Sequence, residues 1–184
     1  MSARRRLICS VLAIAATLAF AASGCGGEAS AEEKWADSVC TDVSDWRSEL
    51  NQATDAIRAE LQSPEAGTLA AIDAAVRKAG GATRQLANDL KAHEAPNGES
   101  GAKAKQQLDA LASQLEATMT RVRQTLDSVP EGADVSEIVS ALAPLAPELR
   151  SLAVNVSSTL QAVQANGSDL KEGFEHANSC REFR

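Results

Sequence analysis

Apolar side chains recur every three or four residues through most of the chain after residue 30, which is the spacing of one face of an α-helix. Four such segments are predicted, at about residues 31–62, 64–93, 101–129 and 135–177. The repeat of the first segment contains both tryptophans of the chain and runs through Trp35, Val39, Val43, Trp46, Leu50, Ala53, Ile57 and Leu61. No segment alternates with period two over a useful length, so we expect an all-α fold.

Helix-breaking sequences separate the four segments. Ser63-Pro64 offers a cap followed by a proline suited to a first helical turn, and residues 95–98 and 129–132 contain proline and glycine. Connections this short favour antiparallel neighbours, so we predict an up-down-up-down antiparallel four-helix bundle. The stretches that begin at Leu50 and Leu115 align with 11 identities in 38 positions. The bundle is therefore either two repeated helical hairpins or two unrelated Ala/Leu-rich hairpins.

The N-terminal residues have a different pattern. Three arginines, Arg4–Arg6, precede an apolar run from Leu7 to Ala22, and small residues then surround Cys25. This order is typical of a secretory signal. The apolar run is shorter than the roughly 20 residues that a membrane-spanning helix needs. An ordinary secretory signal would leave a reactive free thiol at Cys25.

The sequence Ala22-Ser23-Gly24-Cys25 resembles the lipobox of bacterial lipoproteins, in which the cysteine becomes the lipid-modified first residue of the mature chain. The resemblance is confined to this N-terminal region. It implies a cleaved signal peptide at residues 1–24, a lipid on Cys25, a lipidated N-terminus and short linker at 25–31, and a bundle domain at 32–184. It also implies a location at the extracytoplasmic face of the cell membrane, with the membrane as a partner through the lipid anchor.

The net charge of the chain disfavours two classes of binding partner. Removal of the signal would leave 15 basic and 25 acidic side chains, a formal net charge of −10 against −7 for the whole chain. Such a surface is repelled by nucleic acid and by anionic lipid head groups. We therefore expect no nucleic-acid partner, and a membrane link through acyl chains rather than through a basic face.

Cysteine placement agrees with export. If Cys9 leaves with the signal and Cys25 carries lipid, Cys40 and Cys180 remain as a pair in an oxidising compartment, and we predict a disulfide between them. In an up-down bundle both fall at the same end of the molecule. Four aromatic residues should cluster there, either as core packing around the disulfide or as a binding patch: Trp35, Trp46, Phe174 and Phe183.

Two further features are candidate sites. Gly80-Gly81 and the pair Pro144 and Pro147 should interrupt the second and fourth helices at similar heights. Such bends would either follow a tapered core or open a pocket for a ligand, lined by Val76, Ala79, Leu142 and Leu145. Two histidines should fall near the disulfide end, where with their glutamate neighbours they would form a metal site: His93 and His176. Solvent-exposed histidines at helix ends are far commoner, so we expect no resident metal or other cofactor.

The sequence contains no phosphate-binding glycine loop, nucleophile elbow or metalloprotease helix signature. We therefore expect that the protein is not an enzyme. The pattern favours a membrane-anchored extracytoplasmic lipoprotein that acts as a non-catalytic binding or scaffold module in the bacterial cell envelope, with an envelope protein as its partner. The alternative is a carrier or sensor of a small molecule or metal, using a pocket in the helical bundle.

Overall fold

The computed structural model describes residues 28–63, 67–130, 133–142 and 145–183. These residues contain helices and no β-strand, so the predicted all-α class is confirmed. The elements in chain order are α1 (Ala31–Gln62), α2 (Thr68–Ala92), α3 (Glu99–Asp127), α4 (Val135–Leu142), α5 (Leu145–Gln164), α6 (Ser168–His176) and a 3₁₀ turn (Ser179–Phe183). The predicted signal peptide and Cys25 lie outside the described residues. Within those residues, no helix is both long and apolar enough to span a membrane.

The first helix, α1, occupies the residues that its apolar spacing predicts. Ser30 caps it, because the hydroxyl oxygen accepts a hydrogen bond from the Glu33 N–H at 3.0 Å. Two carboxylates in the first turn, Glu32 and Glu33, suit the positive end of the helix dipole. The turns into α2 and α3 use Gly67 and Gly98, whose φ angles of 110° and 98° favour glycine.

The second helix continues without a break through Gly80 and Gly81, so the predicted interruption there is wrong. Gly80 is buried where α2 meets α3, and a Cβ at this position would lie 3.2 Å from Met119 Cε. Because Gly80 has no side chain, α2 and α3 can pack closely at this position. The hydrogen bonds of the surrounding turns keep the helix intact despite its propensity cost.

The fourth predicted segment, residues 135–177, is three helices, and its predicted continuation past residue 164 is wrong. α4 ends at Leu142 and α5 begins at Leu145, which leaves Pro147 in the first turn, where proline is tolerated. A single helix over the predicted span would be about 65 Å long, against about 48 Å for α1. The chain instead turns at residues 165–167, between the end of α5 and the start of α6.

This turn is fixed against the beginning of α3. The Asn166 carbonyl oxygen accepts a hydrogen bond from Ser100 Oγ at 2.9 Å, and Asn166 Nδ2 donates to Gln107 Oε1 at 2.8 Å. A Cβ on Gly167 would lie 2.7 Å from Ser100 Oγ. The close contact between this turn and Ser100 therefore requires glycine at position 167. The start of α3 thus determines where α5 ends.

After the turn, residues 168–183 return along α1, and we call this segment the C-terminal clasp. Its contacts with α1 advance along both segments in step: Gly173 with Glu32, Phe174 with Trp35, Ser179 with Asp37, Cys180 with Cys40 and Glu182 with Arg47. The clasp therefore runs in the same direction as α1. The two cysteines meet because the chain reverses, and not because a single descending helix ends beside the start of α1.

Buried apolar side chains form two clusters. The disulfide core lies under the clasp, and its members include Trp35, Cys40, Trp46, Leu108, Leu115, Leu160, Phe174, Cys180 and Phe183. The distal core consists of Ile72, Val76, Met119, Val122 and Ile138, with partly buried side chains around it. Helices α1, α2, α3 and α5 and the clasp all contribute to the first cluster, whereas α2, α3 and α4 supply the buried members of the second.

Candidate functional site: an acidic groove between α1 and α2

The predicted disulfide between Cys40 and Cys180 is present, with the Cα atoms 5.1 Å apart. The four aromatic residues predicted at this end are buried in its core: Trp35, Trp46, Phe174 and Phe183. Trp35 and Phe174 meet edge to face, with ring centroids 6.0 Å apart. Of the two interpretations of these aromatics, core packing is the one that agrees with their burial.

The described part of the predicted ligand pocket is packed. Val76 is buried in the distal core and Ala79 is half-buried on α2. The side chains of Leu142 and Leu145 lie outside the described residues, so the pocket stays a prediction. The surface grooves considered below have other linings.

The two histidines have different surroundings. His93 Nε2 lies 2.6 Å from Asp42 Oδ2 and joins the end of α2 to α1. His176 is exposed, and it lines a groove beside acidic residues of α1 and α6. In the part of the chain that the structure describes, no group of three or more His, Cys, Asp or Glu side chains is arranged to hold a metal ion.

A groove of about 290 Å³ lies between α1 and α2. The interhelical hydrogen bond from Trp46 Nε1 to Thr83 Oγ1, at 3.0 Å, joins the two helices beside it. Four carboxylates line the groove: Asp42, Asp45 and Glu49 on α1, and Asp89 on α2. The three on α1 are three and four residues apart and so share one face of the helix.

Two of the four carboxylates in this groove already have partners within the chain. Asp42 is joined to His93, and Glu49 Oε2 lies 2.9 Å from Lys78 Nζ. Within the described residues, neither Asp45 nor Asp89 forms a salt bridge. Burial raises the pKa of Asp89, and the nearby Asp42 carboxylate raises it further, while His93 acts in the opposite direction. The groove therefore concentrates negative charge that the described chain does not neutralise.

The apolar part of the lining comes from Trp46, Ala82 and Leu86. Carboxylates above an apolar surface suit a lysine or arginine side chain, whose stem is apolar and whose head is charged. The volume lies just below the 300–1,000 Å³ that is usual for small-molecule sites. The arrangement therefore fits side chains of a partner better than a whole cofactor.

Sequence reasoning did not identify this groove. The spacing of Asp42, Asp45 and Glu49 next to Trp46 is visible in the sequence. The contribution of Asp89, however, depends on how far α2 is shifted along α1, which the hydrophobic repeat does not specify. Comparisons with known proteins returned no family model, no curated protein and no solved structure that matches this chain.

Proposed function

We propose that this chain is a lipid-anchored, extracytoplasmic protein of the bacterial cell envelope whose helical domain is a non-catalytic binding or scaffold module. The basic start, the apolar run and the small residues before Cys25 support the anchor. For the domain we propose an up-down arrangement of α1, α2, α3 and α5, with the C-terminal clasp added at one end. Contacts such as Trp46 with Thr83 and Ser100 with Asn166 support antiparallel pairing of neighbours.

The acidic groove is the observation that carries the proposed binding role. Its occupant would be a basic segment of a partner protein, with lysine or arginine side chains beside Asp45 and Asp89. The apolar lining at Trp46 and Leu86 would contact the stems of those side chains. Complementary charge raises association rates and excludes acidic partners.

A peptide titration tests this role. The probe is a short fluorescent peptide of alternating lysine and alanine, with an alternating glutamate and alanine peptide as the reference for charge. The groove variant combines Asp45→Asn with Asp89→Asn. We expect it to weaken binding of the lysine peptide by about tenfold or more, because hydrogen bonds between charged groups are lost.

The matched control combines Asp55→Asn with Asp127→Asn, which changes the net charge equally at exposed positions outside the groove lining. We expect less than about a twofold effect from it, since exposed charges at a distance are screened. An equal loss in both variants would mean that the peptide follows net charge only, and the groove would not be the binding site.

Two measurements test the anchor and the competing carrier hypothesis. Cys25→Ser should release the protein from membranes and change its mature mass, and unchanged behaviour would contradict lipidation. Native mass spectrometry of protein extracted from its own membranes should find a co-purifying protein. A small mass that disappears on denaturation would favour the carrier instead.

A further inference from the structure

A second groove lies between α2 and α3 and has the opposite charge. Its volume is about 170 Å³, and six residues line it: Arg84, Asn88, Glu116, Met119, Thr120 and Arg123. Arg84 and Asn88 are one helical turn apart on α2, as are Met119 and Arg123 on α3. Each helix therefore directs a guanidinium toward the same groove.

These two arginines have no polar partner within the described residues, although the chain has 25 acidic residues against 18 basic ones. Every other lysine and arginine whose side chain the structure describes has a salt bridge or a hydrogen bond. An acid-rich surface offers many carboxylates for pairing. Two unpaired guanidiniums that share one groove therefore indicate a site for an external anion.

Gly80 lets Arg123 lie against α2. A Cβ at this position would lie 3.5 Å from Arg123 Nη2 and 3.8 Å from Arg123 Nε, in addition to its contact with Met119. The guanidinium thus rests over a part of α2 that has no side chain. Arg84 follows one turn later on the same face of α2, so the two charges converge.

The remaining charge in the groove is already neutralised. Glu116 Oε1 accepts a hydrogen bond from Lys91 Nζ at 2.7 Å. The Thr120 hydroxyl donates to the Glu116 carbonyl oxygen at 2.9 Å. The local formal charge that is left belongs to Arg84 and Arg123, and equals two positive charges.

We propose that the groove between α2 and α3 binds a phosphate group, held between the guanidiniums of Arg84 and Arg123. A guanidinium presents paired N–H donors that match two oxygens of a phosphate, so two arginines can engage three or four oxygens of one group. A phosphate monoester carries close to two negative charges near neutral pH, which matches the two arginines better than a single carboxylate does. Asn88 adds an amide donor at the rim, and Met119 forms an apolar wall.

The small volume limits how much of the ligand is enclosed. The groove is below the size of sites that enclose whole small molecules, so it takes the phosphate end of a larger compound. If the protein is anchored at a membrane as proposed above, that end has two sources: a soluble phosphate monoester and the phosphodiester head group of a lipid. This inference does not depend on the acidic groove, which lies on the other side of α2 between α2 and α1.

Arginine side-chain NMR of the full chain in detergent tests the site with inorganic phosphate, with sodium chloride used to keep the ionic strength constant. We expect the Nε–Hε signals of Arg84 and Arg123 to shift together on one saturating curve. The signals of Arg58 and Arg77 should not follow that curve, because each is paired with an aspartate. Signals that all shift together without saturation would overturn the proposal as an adventitious ion only.

Two variants with the same charge change sharpen the test. Arg84→Gln with Arg123→Gln should weaken phosphate binding by about tenfold or more for each arginine. Arg58→Gln with Arg77→Gln should leave the affinity within about twofold, because exposed ion pairs contribute little. Both pairs are exposed, so circular dichroism should show intact helices. An equal loss in the two variants would overturn the proposal.

Two water-soluble probes then separate the sources. Glycerol 3-phosphate is a monoester, and glycerophosphoglycerol is the head group of a common bacterial phospholipid without its acyl chains. Tighter binding of the monoester supports a soluble phosphate ester as the ligand. Equal or tighter binding of the diester supports a lipid head group, and saturable binding of neither would overturn the site.

Discussion

The disulfide core and the distal core are built from different side chains and are closed in different ways. The disulfide core contains both tryptophans, and a covalent bond joins α1 to the C-terminal clasp across it. Among the side chains that the structure describes, the distal core has five buried members, and its neighbours, such as Ile57, Leu61 and Leu126, are only partly buried. It is closed by α4, a helix of eight residues next to positions that the structure does not describe.

This difference indicates that the two cores of one helical domain can unfold with different cooperativity. Large aromatic surfaces and a cross-link favour a region that opens only with global unfolding. A core of aliphatic side chains with partly exposed neighbours and no cross-link favours local opening. Each prediction below compares the two cores, beginning with the largest expected effect.

Removal of the disulfide should have the largest effect, and it should act on the clasped end. Cys40→Ala with Cys180→Ala frees a loop of 140 residues, which the loop-entropy model values at about 4–5 kcal/mol of unfolding free energy. Chemical denaturation of the original chain and of the variant measures the total loss of unfolding free energy, and reductant added to the original chain should reproduce it. Hydrogen exchange should show loss of protection in α6 before α2, and the reverse order would contradict the comparison.

Truncation of one large side chain in each core should come next. Leu108 and Ile72 are both fully buried, in the disulfide core and the distal core respectively. We expect Leu108→Ala to cost about 3–5 kcal/mol and Ile72→Ala about 2–3 kcal/mol, because partly exposed neighbours can relax into a cavity. Urea titrations of both variants give the difference. A larger loss at Ile72 would mean that the distal core is the more tightly packed region.

The same isosteric change should have unequal effects at two buried threonines, Thr83 and Thr118. Thr83→Val removes the acceptor of the Trp46 indole N–H, and the buried donor left behind costs about 1–3 kcal/mol. Thr118→Val removes an acceptor from Arg121, whose exposed guanidinium can bond water instead. We therefore expect a much smaller loss at Thr118. Thermal unfolding measures the loss of stability in both variants. Equal losses would show that the Trp46 hydrogen bond contributes no more to stability than the Arg121 hydrogen bond does.

Acid pH should have the smallest effect, and each end should contribute through one carboxylate. The Ser179 N–H and hydroxyl hydrogen-bond to Asp37 Oδ1 and lower the pKa of Asp37. At the start of α4, the Glu137 N–H and the Ser136 hydroxyl lower the pKa of Asp134 in the same way. A lowered folded-state pKa stabilises the fold at pH values above 3.8, the ordinary pKa of an aspartate, and that stabilisation is lost as the pH falls through the folded-state pKa.

NMR titration of the carboxyl carbons tests this assignment. Ser179→Ala should move the pKa of Asp37 upward toward 3.8 and leave that of Asp134 unchanged. Ser136→Ala should raise the pKa of Asp134 only. A shift of both values in either variant would mean that the two ends are electrostatically coupled.

Sequence reasoning was most successful where the signals were local. The bounds of α1 were predicted from its unbroken apolar repeat, and the structure has the same bounds. The disulfide followed from counting cysteines after removal of those assigned to the signal and to lipid. Both inferences depended on residues close in sequence or on a count, and neither required knowledge of how helices pack.

The wrong predictions concern features that are determined by contacts between helices. The apolar repeat continues past residue 164, so periodicity gives no sign of the reversal at Gly167, which depends on contact with Ser100. The unbroken course of α2 at Gly80 depends on the side chains of α3 that fill the space. Both charged grooves likewise depend on the register between neighbouring helices, because Asp89 and Arg123 reach them from different elements.

The return of the clasp along α1 also sets the order in which this protein can finish folding. Synthesis proceeds from the N-terminus, so α1, α2 and α3 exist before residues 168–183 do. Contacts between segments 140 residues apart form slowly, because the long loop must close first. Until then the Cys40 thiol has no partner in the clasp. An external two-electron oxidant can join Cys40 to Cys180 only after the clasp has docked, so formation of this disulfide marks the last step of assembly.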